Sequence, residues 1–350
     1  MMLRSIFTLM VAATVATVVS GASITLGQQK FFRSWAVACD NALTCEAINL
    51  PPENEQDDAL AVVIRKGYRP GDALSVSISG FETTNDRYHL KVDGRETDSG
   101  PLAPFQREIL LADKEALKIV RALARGNRFV LLDGAGTRLG SGSLAGSAAA
   151  LKYIDAIQNR IGSKDALAGG GRKSTKPAWL PLPVVKAIRI GTTAPIPGTP
   201  ELIDLIEKSP CRDERFGVTE DSAYSLGRSS GNARAMVLIS CGSGAYNMSH
   251  APYVGTQNAS GKWFFEPAKF DYATEPADGP KLLVNASWDP QKQQLDSFSK
   301  ARGVGDCGNA ESYIWDGTMF RLTSAIGMDE CRGSLNWLTL WRADVELLDR

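Results

Sequence analysis

The chain has 350 residues, with 39 Lys and Arg against 39 Asp and Glu, and 43% of its residues are hydrophobic. That length suggests about two domains with apolar material enough for real cores. A balanced charge without a Lys/Arg cluster leaves no field to gather nucleic acid or an anionic membrane.

Residues 1–22 have the pattern of a secretory signal peptide. Arg4 supplies the positive start, Ile6 to Val19 is apolar, and Ser20-Gly21-Ala22 places small residues where cleavage occurs, after Ala22. The apolar run is short for a bilayer span, and no cysteine follows it directly for a lipid anchor. The expected product is exported and keeps no membrane span. Six cysteines, Cys39, Cys45, Cys211, Cys241, Cys307 and Cys331, then read as disulfides rather than redox or metal groups. Their clustering in sequence favours Cys39–Cys45, Cys211–Cys241 and Cys307–Cys331. There is no CxxC, only His89 and His250 could join the cysteines, and no metal or cofactor is expected.

In the mature chain Trp35, Val37 and Cys39 alternate, as in a strand with one buried face. Asp40-Asn41 turns it, and Thr44 to Ile48 returns antiparallel. Pro51 to Asp58 is a polar loop, in which Asp57-Asp58 has no further ligands and reads as solvated. Ala59 to Arg65 and Ala73 to Ile78 are further strands, split by the turn residues Arg69-Pro70-Gly71-Asp72. Asp93-Gly94 is a hairpin turn after the strand ending at Val92, on which His89 is a rim residue. Asp113 is placed to cap a helix over Lys114–Arg125, with Ala116, Leu117, Val120, Leu123 and Ala124 as its apolar stripe. Arg128 to Leu132 leads into a glycine-rich loop, Asp133 to Gly142. Its glycines fit neither the dinucleotide nor the P-loop spacing, which favours a turn between strands over anion binding at the next helix start. That helix is expected from Ser143, burying Leu144, Ala148, Leu151, Ile154 and Ile161, and ending at Gly162.

Residues 163–200 shift to Gly and Pro and read as an extended linker. The middle of that linker, with Trp179, Leu180, Val184 and Val185, is expected to pack against a domain. It separates an N-terminal domain, 23–162, from a C-terminal one, 201–350. A helix is expected over Glu201–Lys208, then strands over Ala233–Ser240, Trp263–Phe265 and Leu282–Trp288. Cys241-Gly242 before Tyr246 and Cys307-Gly308 before Tyr313 echo each other like a degenerate repeat. Asp316-Gly317 predicts a two-residue type I′ turn, with Trp315 opposite Thr318, Tyr313 opposite Phe320 and Glu311 opposite Leu322. Tyr313, Trp315, Phe320 and Leu322 then share one core-facing side.

No catalytic residue emerges. Gly227 to Gly231 matches GxSxG, but a strand follows it, no acid lies between Ser229 and His250, and the chain order is wrong for that elbow. An exposed turn is the better reading. For glycosidic hydrolysis by paired carboxylates, Asp306 with Asp271 or Asp289 is least out of place, though Asp306 reads as a turn cap. Arg302 and Asp306, in an exposed turn ending at Gly308, are the candidate contacts for a partner.

Several stretches resemble a bacterial family known as domain of unknown function 1176: SLAGSAAALKYIDAIQNRIG (143–162), SCGSGAYN (240–247), KARGVGDCG (300–308), YIWDGTMFRL (313–322) and CRGSLNWLTLWRA (331–343). The first half, through FFRSWAVACD, the following TC and GSGSLAGSAAAL, also resembles the invasion-associated locus B family of exported β-rich proteins. The resemblance implies a periplasmic protein of a Gram-negative bacterium and supplies no catalytic residues. The word "invasion" does not transfer, because likeness of fold does not set function. The expected fold is mainly β with a few helices (α+β), in two disulfide-stapled β-rich domains: a sandwich-like unit, then a β-meander. The expected function is non-enzymatic binding of an envelope protein or glycan. The alternative is a carboxylate-dependent hydrolase of envelope glycan or peptidoglycan.

Overall fold

The computed structural model describes residues 23–51, 58–69, 72–103, 105–174, 180–191, 194–216, 220–272 and 280–349. The expected signal peptide (1–22), Asp57, Pro70-Gly71 and Trp179 lie outside them. The first half runs β1 (Lys30–Phe31), β2 (Trp35–Cys39), β3 (Cys45–Asn49), β4 (Ala61–Lys66), β5 (Leu74–Ser79), β6 (Arg87–Val92), β7 (Arg95–Pro101), β8 (Glu108–Ala112), α1 (Asp113–Leu123), β9 (Arg128–Asp133), β10 (Arg138–Ser143) and α2 (Ser147–Ile157). One antiparallel sheet has the order β1-β2-β3-β4-β5-β8 and a second β10-β9-β6-β7. Val37, Ile64, Val76 and Ile78 from the first sheet, Leu90, Phe129 and Leu131 from the second, and the inner sides of both helices form one core.

Local chemistry explains most of these elements. Asp93 (φ 47°) and Gly94 (φ 77°) form the type I′ turn between Val92 and Arg95. On α1 the buried stripe is Ala116, Ile119, Val120 and Leu123, so Ile119 takes the place expected for Leu117. Asp113 is not a cap: the helix starts on it, and Ala112 holds the cap position without a side-chain bond. Helix α2 begins later than expected because β10 continues through Ser143. Gly146 (φ 97°) redirects the chain, where a Cβ would stand 1.8 Å from the Phe32 carbonyl oxygen. Ile161, beyond the helix end, is 66% exposed rather than buried.

The second half runs β11 (Val184–Ile188), α3 (Thr199–Lys208), a 3-10 turn (Pro210–Glu214), β12 (Ser222–Ser229), β13 (Asn232–Ser243), β14 (Met248–Gln257), β15 (Trp263–Pro267), β16 (Leu283–Val284), β17 (Ser287–Asp289), β18 (Gln294–Lys300), β19 (Gly308–Trp315), β20 (Phe320–Met328), β21 (Leu338–Arg342) and β22 (Asp344–Leu348). Two meanders, β12-β13-β14-β15 with β16 on β14, and β17-β18-β19-β20-β21, enclose a second core. The stretch 163–200 is not extended throughout. Leu167 and Ala168 donate their N–H groups to Asp155 on α2 at 2.8 and 2.9 Å, and β11 pairs in parallel with β22. Val184 and Leu180 of this stretch stay exposed, and Leu182 and Ala187 are buried instead.

The fold is mainly β with three α-helices among the described residues, and all three disulfides join the expected cysteines. Two expectations change. The hairpin pairs Trp315 with Phe320 and Tyr313 with Leu322. The Asp316 carboxylate accepts the Thr318 and Met319 N–H groups at 2.7 and 2.8 Å, which builds a wider turn in which only Gly317 has positive φ. Strand β2 is covered on both faces, not one. Ala36 and Ala38 join Ile48 and Leu50 against Cys307, Met328, Leu338 and Leu340 from the other half.

Polar bonds edge that junction. Arg342 donates through Nε to Asp40 at 2.5 Å and through Nη2 to Thr44 Oγ1 at 2.7 Å, and the Thr339 N–H reaches Glu46 at 2.8 Å. The Asp40 carboxylate is fully buried. Arg342→Ala, which removes its cationic partner, is expected to lower the unfolding free energy by roughly 3 kcal/mol in urea titrations of the oxidised protein. A far smaller loss would show that the junction does not lean on this pair.

Candidate functional site

The turn between β18 and β19 is built from its ends inward. Cys307 is bonded to Cys331, the Ala301 N–H donates to the Cys307 carbonyl at 3.0 Å, and the Gly305 N–H closes onto the Arg302 carbonyl at 3.0 Å. Gly308 (φ 138°) admits no side chain, since a Cβ would lie 2.0 Å from the Ser299 oxygen. Asp306 is not exposed as expected: its side chain is 1% accessible and forms a two-pronged ion pair with Arg302. It also accepts the Gly333 N–H at 2.6 Å. The Arg302 bond, against the opposing effect of burial, holds the Asp306 carboxyl below the usual carboxylate range. Arg302 keeps 45% of its side chain exposed.

Two other segments close on this turn. The Tyr246 hydroxyl donates to the Ala301 carbonyl at 3.0 Å, and Asn247 Nδ2 to the Lys300 carbonyl at 2.8 Å. Phe298 stacks on Trp337 with centroids 4.9 Å apart. Val304 (70% exposed) lies in this turn, whose Gly303 packs on Tyr246, and Leu335 (74%) lies between Gly333, which bonds Asp306, and Trp337, which stacks on Phe298; Tyr246 and Phe298 are themselves half-exposed. Three of the stretches that carry the family resemblance, 240–247, 300–308 and 331–343, thus meet in one exposed surface. Sequence reasoning noted Tyr246 only as part of an apparent repeat and missed Phe298, Val304, Leu335 and Trp337. The only local signal was Val304, an apolar residue between Gly303 and Gly305. The apparent repeat is not one of position: Tyr246 is on this surface, whereas Tyr313 is fully buried.

A second polar cluster lies inside the C-terminal core. Lys281 Nζ donates to Glu311 at 2.8 Å and to the Tyr272 carbonyl at 3.0 Å, and contacts the Tyr313 hydroxyl. It sits 5.3, 5.3 and 4.7 Å from the ring centres of Phe270, Tyr272 and Tyr313, a cation–π arrangement. Burial pushes the Lys281 ammonium below its ordinary pKa despite Glu311, and pushes the Tyr313 phenol, which donates to Glu311, well above its own. All of the Lys281 donors are engaged within the protein, which marks the cluster as a structural brace.

The carboxylates weighed for hydrolysis belong to separate hydrogen-bond sets. Asp271 accepts the Leu322 N–H at 2.8 Å, and burial pushes its carboxyl up. Asp289 accepts the N–H groups of Gln291 and Lys292 at 2.9 and 3.1 Å. The GxSxG stretch is a hairpin turn, with Ser230 (φ 49°) and Gly231 (φ 83°) joining β12 to β13. His250 is buried opposite Ser240 on β13. Ser229 flanks the turn at the other end of that strand, roughly 25 Å away at strand rise. Burial pushes the His250 pKa down. Among the described residues no group of three His, Cys, Asp or Glu side chains is placed to hold a metal ion.

A family model described as "Protein of unknown function (DUF1176)" matches residues 29–344. The chain is 26% identical over 337 residues to an uncharacterized protein YpfG of Escherichia coli (strain K12), covering 89% of this chain and 92% of that protein. No solved structure matches it significantly. The family model spans the first half as well, and the second resemblance, to invasion-associated locus B, gains no support from these matches.

The brace makes its own forecast. Lys281→Met leaves Glu311 buried without its cation and is expected to cost roughly 3 kcal/mol of stability, whereas Lys281→Met with Glu311→Leu should recover at least half of that loss. Denaturant titration of the two single variants and the double variant measures both quantities.

Proposed function

We propose a function on the premise that the chain belongs to the DUF1176 family, whose function is unknown: it is an exported, periplasmic, non-enzymatic protein that binds an envelope protein through the surface around Val304 and Leu335. Two units, 23–162 and 201–350, joined through 163–200, would carry that surface at the C-terminal end. Three disulfides suit an oxidising compartment. No helix among the described residues is long and apolar enough to cross a membrane, and the first 22 residues read as a cleavable signal.

The observation that carries the reading is the meeting of three motif stretches in a surface that includes Val304 and Leu335, the first of them 70% and the second 74% exposed. Neighbouring exposed apolar side chains rimmed by polar groups mark a protein-interaction patch, and the Tyr246 and Phe298 rings beside them are of the aromatic type that anchors interfaces. A sugar would want a free aromatic face and open hydrogen-bonding groups, but Phe298 is stacked on Trp337 and the Tyr246 hydroxyl is spent on Ala301. Asp306 contributes by holding the turn, with Arg302 at its edge.

A photo-crosslinking residue at position 304, in cells, is expected to give one discrete protein adduct. Introducing Val304→Glu with Leu335→Glu should reduce co-purification of that protein at least about tenfold, the cost of burying a charge in an apolar contact. A glycan in place of the adduct, or soluble fragments released from peptidoglycan, would overturn the reading in favour of a glycan ligand or a hydrolase. N-terminal sequencing of the protein recovered from the periplasm should begin at Ser23.

A further inference from the structure

Strand register places three connections at one end of the N-terminal sandwich. Ser79 pairs with Glu108, Arg87 with Pro101, and Tyr88 with Asp133. The β5–β6, β7–β8 and β9–β10 connections therefore leave the sheets side by side. Between them lies an open groove of about 640 Å³, within the usual size range for small-ligand sites.

The groove is preorganised by its own backbone. One Asp133 oxygen accepts the N–H groups of Ala135 and Thr137 at 2.9 and 2.8 Å, and the other accepts Asn85 Nδ2 at 2.5 Å. One carboxylate thus ties the first connection to the third. The Leu102 N–H donates to the Asp86 carbonyl at 2.6 Å, and Gln106 Oε1 accepts the Ala103 N–H at 2.8 Å. This is the work of the glycine-rich Asp133–Gly142 stretch: its first turn forms a wall of the groove.

Phe105 is held at φ 62° and is 82% exposed. A bulky residue in the left-handed region, with its ring in water, is costly twice over. The charges lining the groove cancel, with Glu82 and Asp133 against Arg107 and Arg138, and Arg107 meets Glu82 at 3.0 Å. Of the remaining polar groups, Gln106 spends its amide on the Ala103 N–H and the Glu108 carbonyl, which leaves the oxygens of Asn85 and the threonines to accept from a ligand. A phosphate or carboxylate would need surplus positive charge, and a lipid would need apolar walls. One aromatic face among neutral acceptors matches a sugar ring, with its apolar face and its rim of hydroxyls.

We propose that this groove binds an uncharged oligosaccharide, with the Phe105 ring against one sugar face and the side-chain oxygens of Thr84, Asn85 and Thr137 accepting from its hydroxyl groups. This is a separate site from the Val304 surface and stands on separate observations.

The test titrates the full chain with chitotriose, maltotriose and cellotriose, followed by amide chemical shifts and calorimetry. Saturable binding of at least one of them, at a Kd of about 1 mM or tighter, is expected to shift the amides of residues 83–85, 105–107 and 137–139. Phe105→Ala should weaken it at least about tenfold and Phe105→Trp should restore it. Because the ring is solvent-exposed, both variants should unfold at the same temperature as the parent. The protein carrying Val304→Glu and Leu335→Glu should bind the sugar unchanged, which separates failure here from failure of the interface reading. Absence of saturable binding by all three sugars, shifts confined to other residues, or unchanged affinity in Phe105→Ala would each overturn the proposal.

Discussion

Strand β2 has no face left for water. Trp35 and Val37 point into the N-terminal core, while Ala36 and Ala38 lie against Leu338, Leu340 and Met328. Alanine permits this because its side chain is short enough for two sheets to approach closely at those positions, and a larger residue there would overpack the contact. The halves therefore share a third core, and the two outer cores take their relative position from it. The Arg342–Asp40 pair and the Thr339–Glu46 bond edge that core where alanines have no polar groups to offer. The turn bearing Val304 inherits its placement from the same contact, through Cys307, which is itself a member of the shared core.

Charge is handled consistently across the molecule. The net charge is zero, yet several acids are withdrawn from water against a basic partner, which in most cases stays partly exposed: Asp40 with Arg342, Glu46 with Arg65, Glu311 with Lys281, and Asp306 with Arg302. Each acid also takes at least one further hydrogen bond, from a backbone N–H or, for Glu311, from the Tyr313 hydroxyl. A buried pair with its remaining lone pairs filled adds little net stability over an apolar replacement, but it enforces one geometry. That is the property needed by turns that must hold apolar side chains in solvent.

Much of this was legible in the residues. Cysteine clustering anticipated all three bridges, and Asp93-Gly94 anticipated its turn. At Asp316-Gly317 the same dipeptide misled, because the Asp316 side chain bonds forward to Thr318 and Met319 and widens the loop. The resulting register differs by two residues, an even number, so Tyr313, Trp315, Phe320 and Leu322 kept their common face. The second buried face of β2 was not readable, since alanine is at home both in cores and on surfaces. Nor was the burial of Asp306, whose backbone partner Gly333 is distant in sequence and arrives only with the disulfide fold. The surface around Val304 stayed hidden for the same reason: it is assembled from three stretches that only the tertiary fold brings together.

The short segment ahead of β1 is enclosed by both halves. Ile24 and Leu26 pack on the second core, the Gly27 N–H donates to Leu340 at 2.8 Å, and a Cβ on Gly27 would stand 2.1 Å from the Cys39 oxygen. This early segment thus completes its packing only with residues near the end of the chain, and β11 likewise waits for β22 to pair with it. Contacts between such distant parts of a chain form late and slowly. The early strands can collapse as they appear, but the shared core forms only once the whole polypeptide is available. Until then Ala36, Ala38, Ile48 and Leu50 present an uncovered apolar strand face, the kind of surface that invites premature association with other chains.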